Sequence, residues 1–522
     1  MFQRLMVLWV LLAASLPVFA ERILVVGDSI TGHSMNLPCG YTHEVRKALD
    51  EAGVTDVEFV PLGGSGQTVQ SWQNVVKASE TQNNRLDIPG IFVKEEMDKG
   101  ADTVLILLGM NDVLRPLVTD GADRWEIWKA EYQKLIDLLR ARISFQKLLL
   151  GAPTMLTESP FSYKNLEMDE MEQAIREVAK ANHAGMVEIR SDFKRFHENA
   201  RKANNTYRMI ADYVHPGADG HACMTWSILN AIGQKKAADA YLAKHCPEFM
   251  RDFSTPGMSL YVVSPAPVGT VVVKGFLRGE SREKLTVTPP PGLKLDRIET
   301  FGDEGFTLTL SGSCDTLSEE IRVQAGNLVR TVKRNAPFCV AYGFAAAPFH
   351  DPHSFREASA QTPIDADVLA GKDPLETVVD GKKVDWLVYY PTADLTGGDD
   401  PNNVDFCAMN NASGFATAYT LRRIYSPKAQ PARVDFCVHS FSTNEPMVLY
   451  LNGKKVYENF FVRGGEKRAS TDISLREGWN TFVVRASHTQ WQWVLSMRVC
   501  APDGTDLPDL RYATHEPTAG SR

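Results

Sequence analysis

An α/β domain built on a doubly wound parallel sheet, followed by two all-β domains of sandwich or jelly-roll type, is the fold class predicted by this sequence of 522 residues. Three observations lead there. From Glu21 to about Cys246, short apolar runs alternate with stretches whose apolar residues recur at spacings of three and four. Several of those runs stop abruptly at glycine and small polar residues, as Ile23-Leu24-Val25-Val26 does at Gly27-Asp28-Ser29, which is how a buried parallel strand reads where it opens into a loop. Beyond Cys246 the pattern changes to short alternating stretches broken by proline and glycine, the signature of antiparallel sandwiches. A chain of this length exceeds one hydrophobic core and implies about two to four domains.

Residues 1–20, MFQRLMVLWVLLAASLPVFA, carry one arginine near the start, an apolar stretch and a small-residue end at Val18-Phe19-Ala20. They read as a signal peptide with Glu21 as the mature start. The apolar core is short for a membrane span, and no later run reaches the ~18 apolar residues of one. The expectation is therefore an exported protein, periplasmic or secreted, without a span after cleavage. The remaining divisions are an α/β domain at 21–247, a small β-sandwich at 253–335 and a jelly-roll-like domain at 336–515.

A formal charge of −8 with no Lys/Arg run argues against a nucleic-acid groove. The eight cysteines form no Cys-x-x-Cys, which argues against a zinc ribbon or redox centre. In an exported protein some of them are expected to pair, Cys223 with Cys246 and Cys314 with Cys339 being closest in sequence, but spacing does not give connectivity.

Within the first domain the expected strands are 22–27, 57–61, 103–109, 147–152 and 186–190. The expected helices are Gly40 to Ala52, Ile91 to Lys99, Trp125 to Ile143, Met168 to Asn182 and His221 to Leu242. Right-handed crossovers would set these strands in one parallel sheet and gather ligand-binding loops at their carboxyl ends.

The chemistry-bearing residues fall at those ends. Ser29 follows the first strand. Leu62-Gly63-Gly64-Ser65-Gly66-Gln67-Thr68 follows the second, Leu108-Gly109-Met110-Asn111-Asp112 the third, and Asp212-Tyr213-Val214-His215-Pro216 precedes the last helix. A serine hydroxyl is a weak nucleophile unless a base removes its proton during attack. His215 is the best placed of twelve histidines to do so, because Asp212, three residues earlier, can hold and stabilise its ring. His221 is the competitor and would begin the following helix, while His33, close to Ser29, reads as substrate-contacting or merely exposed.

These four blocks, in this order, resemble the SGNH subgroup of the GDSL esterase/lipase family over roughly residues 21–246, with Ile30 where leucine is usual. The resemblance implies a flavodoxin-like SGNH hydrolase fold, Ser29, Asp212 and His215 as the catalytic set, and an oxyanion hole formed by the backbone N–H groups of Ser29 and Gly66 and the side-chain amide of Asn111. Gly64 is the alternative to Gly66. No cofactor or metal is implied: Gly-x-Ser-x-Gly is absent, and His43-Glu44 is followed at position 47 by lysine, so no zincin motif forms.

In the last part, Val448 to Val456 followed by Leu475 to Val484 resembles the galactose-binding-like jelly-roll modules attached to carbohydrate-active enzymes, and Asp380-Gly381 and Asn452-Gly453 are hairpin signals. Trp491 and Trp493 fit either a sugar-stacking site or a strand with packed indoles. The functional expectation is a serine esterase that removes an acyl group, acetyl first, from a carbohydrate. The alternatives are a lysophospholipase- or thioesterase-type acyl hydrolase and a non-catalytic carbohydrate-binding surface protein. The segment Pro153 to Tyr163 is a candidate cover for the site, and the tail from Thr518 is expected to be disordered.

Overall fold

The structure, a computed structural model, describes residues 21–115, 123–312, 314–341, 362–395, 399–406, 416–439, 447–459, 469–488 and 493–514. Residues 1–20, which the sequence predicts to be a signal peptide, Trp491 and the tail from Thr518 lie outside them.

Five strands, β1 (Glu21–Gly27), β2 (Val57–Gly63), β3 (Thr103–Leu107), β4 (Lys147–Gly151) and β5 (Gly185–Val187), form one parallel sheet in the order β2-β1-β3-β4-β5. Ile23 to Val26 are fully buried, because layers of helix leave neither face of the sheet to water. Helix Val69–Ala78 packs on Arg124–Arg142 and that on Tyr163–Ala181, while Tyr41–Glu51 packs on Ala218–Ala231, which also meets Ile189–Ala203 and Lys235–His245. The α/β fold and its doubly wound order are as the sequence predicts.

Two boundaries differ for identifiable reasons. The helix expected over His221 to Leu242 is two helices, Ala218–Ala231 and Lys235–His245, separated at Gly233, whose φ of 84° is a left-handed helix stop. The helix expected from Met168 begins at Tyr163, because the Ser162 hydroxyl accepts from the Asn165 N–H at 3.3 Å and caps it.

Beyond residue 256 the strands form antiparallel sheets. Leu293–Phe301, Gly305–Gly312, Thr270–Arg278 and Gly257–Val262 make one, and Leu328–Asn335, Ser318–Ala325 and Leu285–Thr288 a second. A larger sheet runs through Lys454–Asn459, Met447–Leu451, Gly478–His488, Ala416–Ser426, Phe338–Ala341, Trp386–Tyr389 and Ala266–Pro267. Leu260, Val273, Phe306 and Ile321 share one buried cluster with Trp386, Tyr419 and Val483, so the core is continuous across position 335. Both hairpin signals form turns with two positive φ values, Asp380 (51°) with Gly381 (75°) and Asn452 (49°) with Gly453 (80°), the geometry asparagine-glycine and aspartate-glycine favour. Trp493 is a core residue, its ring 4.5 Å from that of Phe406. Cys223, Cys246, Cys314 and Cys339 are thiols, so neither near-neighbour disulfide is formed.

Candidate functional site

The sheet's order places the site. β1 lies between β2 and β3, so the chain leaves it toward both sides and opens a crevice beyond its carboxyl end. Register sharpens this: Gly27 stands opposite Gly63 on one side and Leu107 on the other, so the three strands end level and their loops meet. Close approach requires glycine here. A Cβ on Gly63 would lie 2.3 Å from the backbone nitrogen of Gly32 in the short helix Ser29–Ser34.

Asp28 caps that helix, its carboxylate accepting from the Ile30 N–H at 2.9 Å, and this sets Ser29 at the first helical position, nearly buried. From the far end of the chain the loop before Ala218 brings His215, whose Nε2 lies 3.0 Å from Ser29 Oγ. Its Nδ1 lies 2.7 Å from Asp212 Oδ2, while Asp212 Oδ1 accepts from the backbone N–H groups of Tyr213, Val214 (2.7 Å) and His215 (2.8 Å). Partial burial works against Asp212's ionisation, but those donors and the imidazole hold it well below the usual carboxylate range. The same bond raises His215 above its ordinary value, against the opposing effect of burial.

Gly66 has φ of 71°, a conformation that turns the backbone of the β2 loop sharply and is strained for other residues. Asn111 sits in the one-turn helix Met110–Leu114 after β3, with Nδ2 donating to the Gln67 carbonyl at 3.1 Å. An amide carries two N–H donors, so one remains for a ligand beside the Gly66 loop. Gly64 lies instead against Gln67 and Leu86. The structure thus brings Ser29, Gly66, Asn111, Asp212 and His215 to one edge of the sheet.

His221 is buried in the helix Ala218–Ala231, with Nδ1 accepting from the Tyr41 N–H at 3.4 Å, and burial pushes its pKa down to about 4. It therefore serves the interior as a neutral ring. His33 lies at the mouth, its ring centroid 5.0 Å from that of His215 and its Nε2 3.2 Å from Ser65 Oγ. Exposed Asp87 accepts from the Ser65 N–H, and the Arg115 guanidinium lies beside Gly66.

Several supporting residues escape a sequence reading. Asp112 accepts from Val69 N–H (3.2 Å) and Trp128 Nε1 (2.9 Å), and Trp72 Nε1 donates to the Gly27 carbonyl (2.9 Å), tying the three strand ends to the helices behind them. Burial pushes Asp28 up to about 7 and Asp112 to about 6. The adjacency of Asp112 to Asn111 was the only signal for it. In the segment Pro153 to Tyr163, Thr157 N–H donates to the Tyr213 carbonyl at 3.0 Å, and Phe161 packs among Tyr261, Phe276 and Phe301. Met155 and Leu156 of the same segment are buried in the interior of the α/β domain. Among the described residues no group of three or more His, Cys, Asp or Glu is arranged to hold a metal, and no helix is long and apolar enough to cross a membrane.

Residues 25–223 match the model of the GDSL-like lipase/acylhydrolase family. No curated protein matches the chain in sequence. Among solved structures, the chain is similar to LAE5, an α/β hydrolase enzyme from the metagenome of Lake Arreo, at 21% identity and TM-score 0.32, over 41% of this chain and 96% of that one. It is also similar to an acetylxylan esterase from Geobacillus stearothermophilus, at 20% identity and TM-score 0.30, over 42% and 97%. A lipolytic G-D-S-L family protein from Veillonella parvula is similar at 18% identity and TM-score 0.30, over 40% and 97%.

Proposed function

We propose that this chain, whose residues 25–223 match the GDSL-like lipase/acylhydrolase model, is an exported serine esterase that removes a small acyl group, acetyl first, from a carbohydrate. The observation that carries the reaction class is the unbroken chain of contacts from Ser29 Oγ through His215 to Asp212 at the switch point of the sheet. Ser29 Oγ attacks the ester carbonyl while His215 Nε2 takes its proton, and Asp212 accepts from the Nδ1–H and stabilises the imidazolium. The developing oxyanion is met by the N–H groups of Ser29 and Gly66 and the free Nδ2–H of Asn111. Collapse expels the alcohol, which receives the proton from His215. Water, activated by the same imidazole, then hydrolyses the acyl-serine, releasing the acid and restoring Ser29.

Support for a hydroxylated leaving group comes from the mouth of the site. His33, Ser65, Asp87 and Arg115 bring polar donors and acceptors to the Gly66 loop. In this proposal residues 1–20 direct export, 21–247 carry the chemistry, and the strands of 253–335 and 336–515, which share one core, form the sandwich and jelly-roll modules that bring the enzyme to its polymer. The test is acetate release from acetylated polysaccharides, alongside p-nitrophenyl esters of increasing chain length, by residues 21–522 and by Ser29→Ala. Ser29-dependent release from a polysaccharide supports the reading. Turnover only of long acyl chains would replace it with a lysophospholipase- or thioesterase-type activity, and sugar binding without turnover would replace it with a binding protein.

A further inference from the structure

The loop that carries Asp212 and His215 is held from behind by a side chain outside the catalytic set. Glu158, fully buried, accepts from the backbone N–H groups of Met209 (3.0 Å) and Ile210 (2.8 Å) and lies 2.8 Å from His197 Nε2. The neighbouring Thr157 N–H donates to the Tyr213 carbonyl at 3.0 Å, so two consecutive residues grip the loop on both sides of Asp212. Thr157 adopts φ of 61°, unfavourable for a β-branched residue and kept only where the surroundings impose it. Between these grips the loop closes on itself, with Ala211 N–H donating to the His215 carbonyl and Gly217 N–H to the Met209 carbonyl, each at 2.8 Å.

The clamp is anchored in turn to the β region. Glu158 N–H donates to the Asp394 carbonyl (3.1 Å), Arg201 pairs with the Asp394 carboxylate (2.6 Å), and Arg208 Nη1 donates to the Ala393 carbonyl (3.1 Å). The titratable and charged groups facing Glu158 are His197, Arg201 and Arg208. Burial works against its ionisation, yet His197, the Ile210 N–H and Arg201 keep the carboxyl below its ordinary range.

Resting on the esterase reading above, we propose that Glu158 is the positioning residue of the acid–base pair: through Met209 and Ile210 it sets the Asp212–His215 alignment, and through Asp394 it makes that alignment depend on the docked C-terminal region. Catalysis is sensitive to such placement, since an error of about 1 Å in a reacting group can cost on the order of 100-fold. Glu158→Gln keeps the volume but turns one acceptor into a donor facing a backbone N–H or His197. Glu158→Asp keeps the charge but withdraws the carboxylate by one methylene.

The test pairs steady-state kinetics with an NMR titration of the His215 ring, assigned by its loss in His215→Ala. The groups facing His215 are Asp28, Asp212, His33 and His221, and none of them is altered in either variant. Weakening the Asp212 bond should lower the His215 midpoint by about half a pH unit or more, with kcat falling about tenfold or more and KM within about threefold. The proposal is overturned if a folded variant titrates His215 at the wild-type pH, or if lost activity tracks only the unfolded fraction. The titration reads the imidazole without substrate, so an absence of ester turnover in the wild type would count against the esterase reading and leave this one judged on the titration.

Discussion

His215 Nε2 lies 3.0 Å from Ser29 Oγ although 186 residues of chain separate them. The contact exists because β1 delivers Ser29 to the sheet's carboxyl edge between β2 and β3, while the loop at 209–217, clamped from beneath, returns the imidazole to the same edge.

Ser29→Ala should reduce kcat by about 10⁴-fold or more with little effect on KM, since a nucleophile and its base act as a unit. Thermal unfolding should be close to wild type, because Ala fits the first turn of the Ser29–Ser34 helix. Steady-state kinetics beside a melting curve checks both.

The pH dependence has a definite sign. His215 must be neutral to act as base, and its pKa in the folded enzyme is raised, chiefly by Asp212. The rise of kcat/KM with pH should therefore have its midpoint above ~6.5, the ordinary histidine value. Asp212→Asn removes the main cause of the shift, so the midpoint should move down while kcat falls by about 10⁴-fold.

Asn111→Ala should lower kcat by about 10²- to 10³-fold with a nearly unchanged KM, the pattern of a donor that meets charge developed only in the transition state. A raised KM with unchanged kcat would instead mark Asn111 as an ordinary binding group.

Gly63→Ala should lower both stability and activity. The new methyl would lie 2.3 Å from the Gly32 nitrogen, so either β2 or the Ser29–Ser34 helix must shift, and overpacking of this kind typically costs about 1–3 kcal/mol. Denaturant unfolding with a parallel activity assay measures the two effects.

The parallel sheet and the five residues at its edge were legible because their signals are local. Buried parallel strands are unbroken apolar runs, and Gly27, Gly63 and Gly109 mark where each run must turn. Asp212 and His215 share one turn, so even the proposed acid–base pair is close in sequence. Glu158 was not legible: its partners, His197, Met209 and Asp394, come from three distant stretches, and nothing around it separates a buried carboxylate from a solvated one. The division at 335 rested on alternation, which identifies strands but not their sheets. Phe306 and Tyr419 alternate alike yet pack in one cluster. The break at Gly233 was hidden because apolar spacing continues on both sides of it.

The central claim, that Ser29 is a nucleophile activated by His215, is tested most directly by covalent labelling with a fluorophosphonate, followed by intact mass and peptide mapping. The account predicts one adduct per chain, located on Ser29, absent from Ser29→Ala and strongly slowed in His215→Ala. Labelling elsewhere, or no labelling of folded wild-type protein, would contradict it.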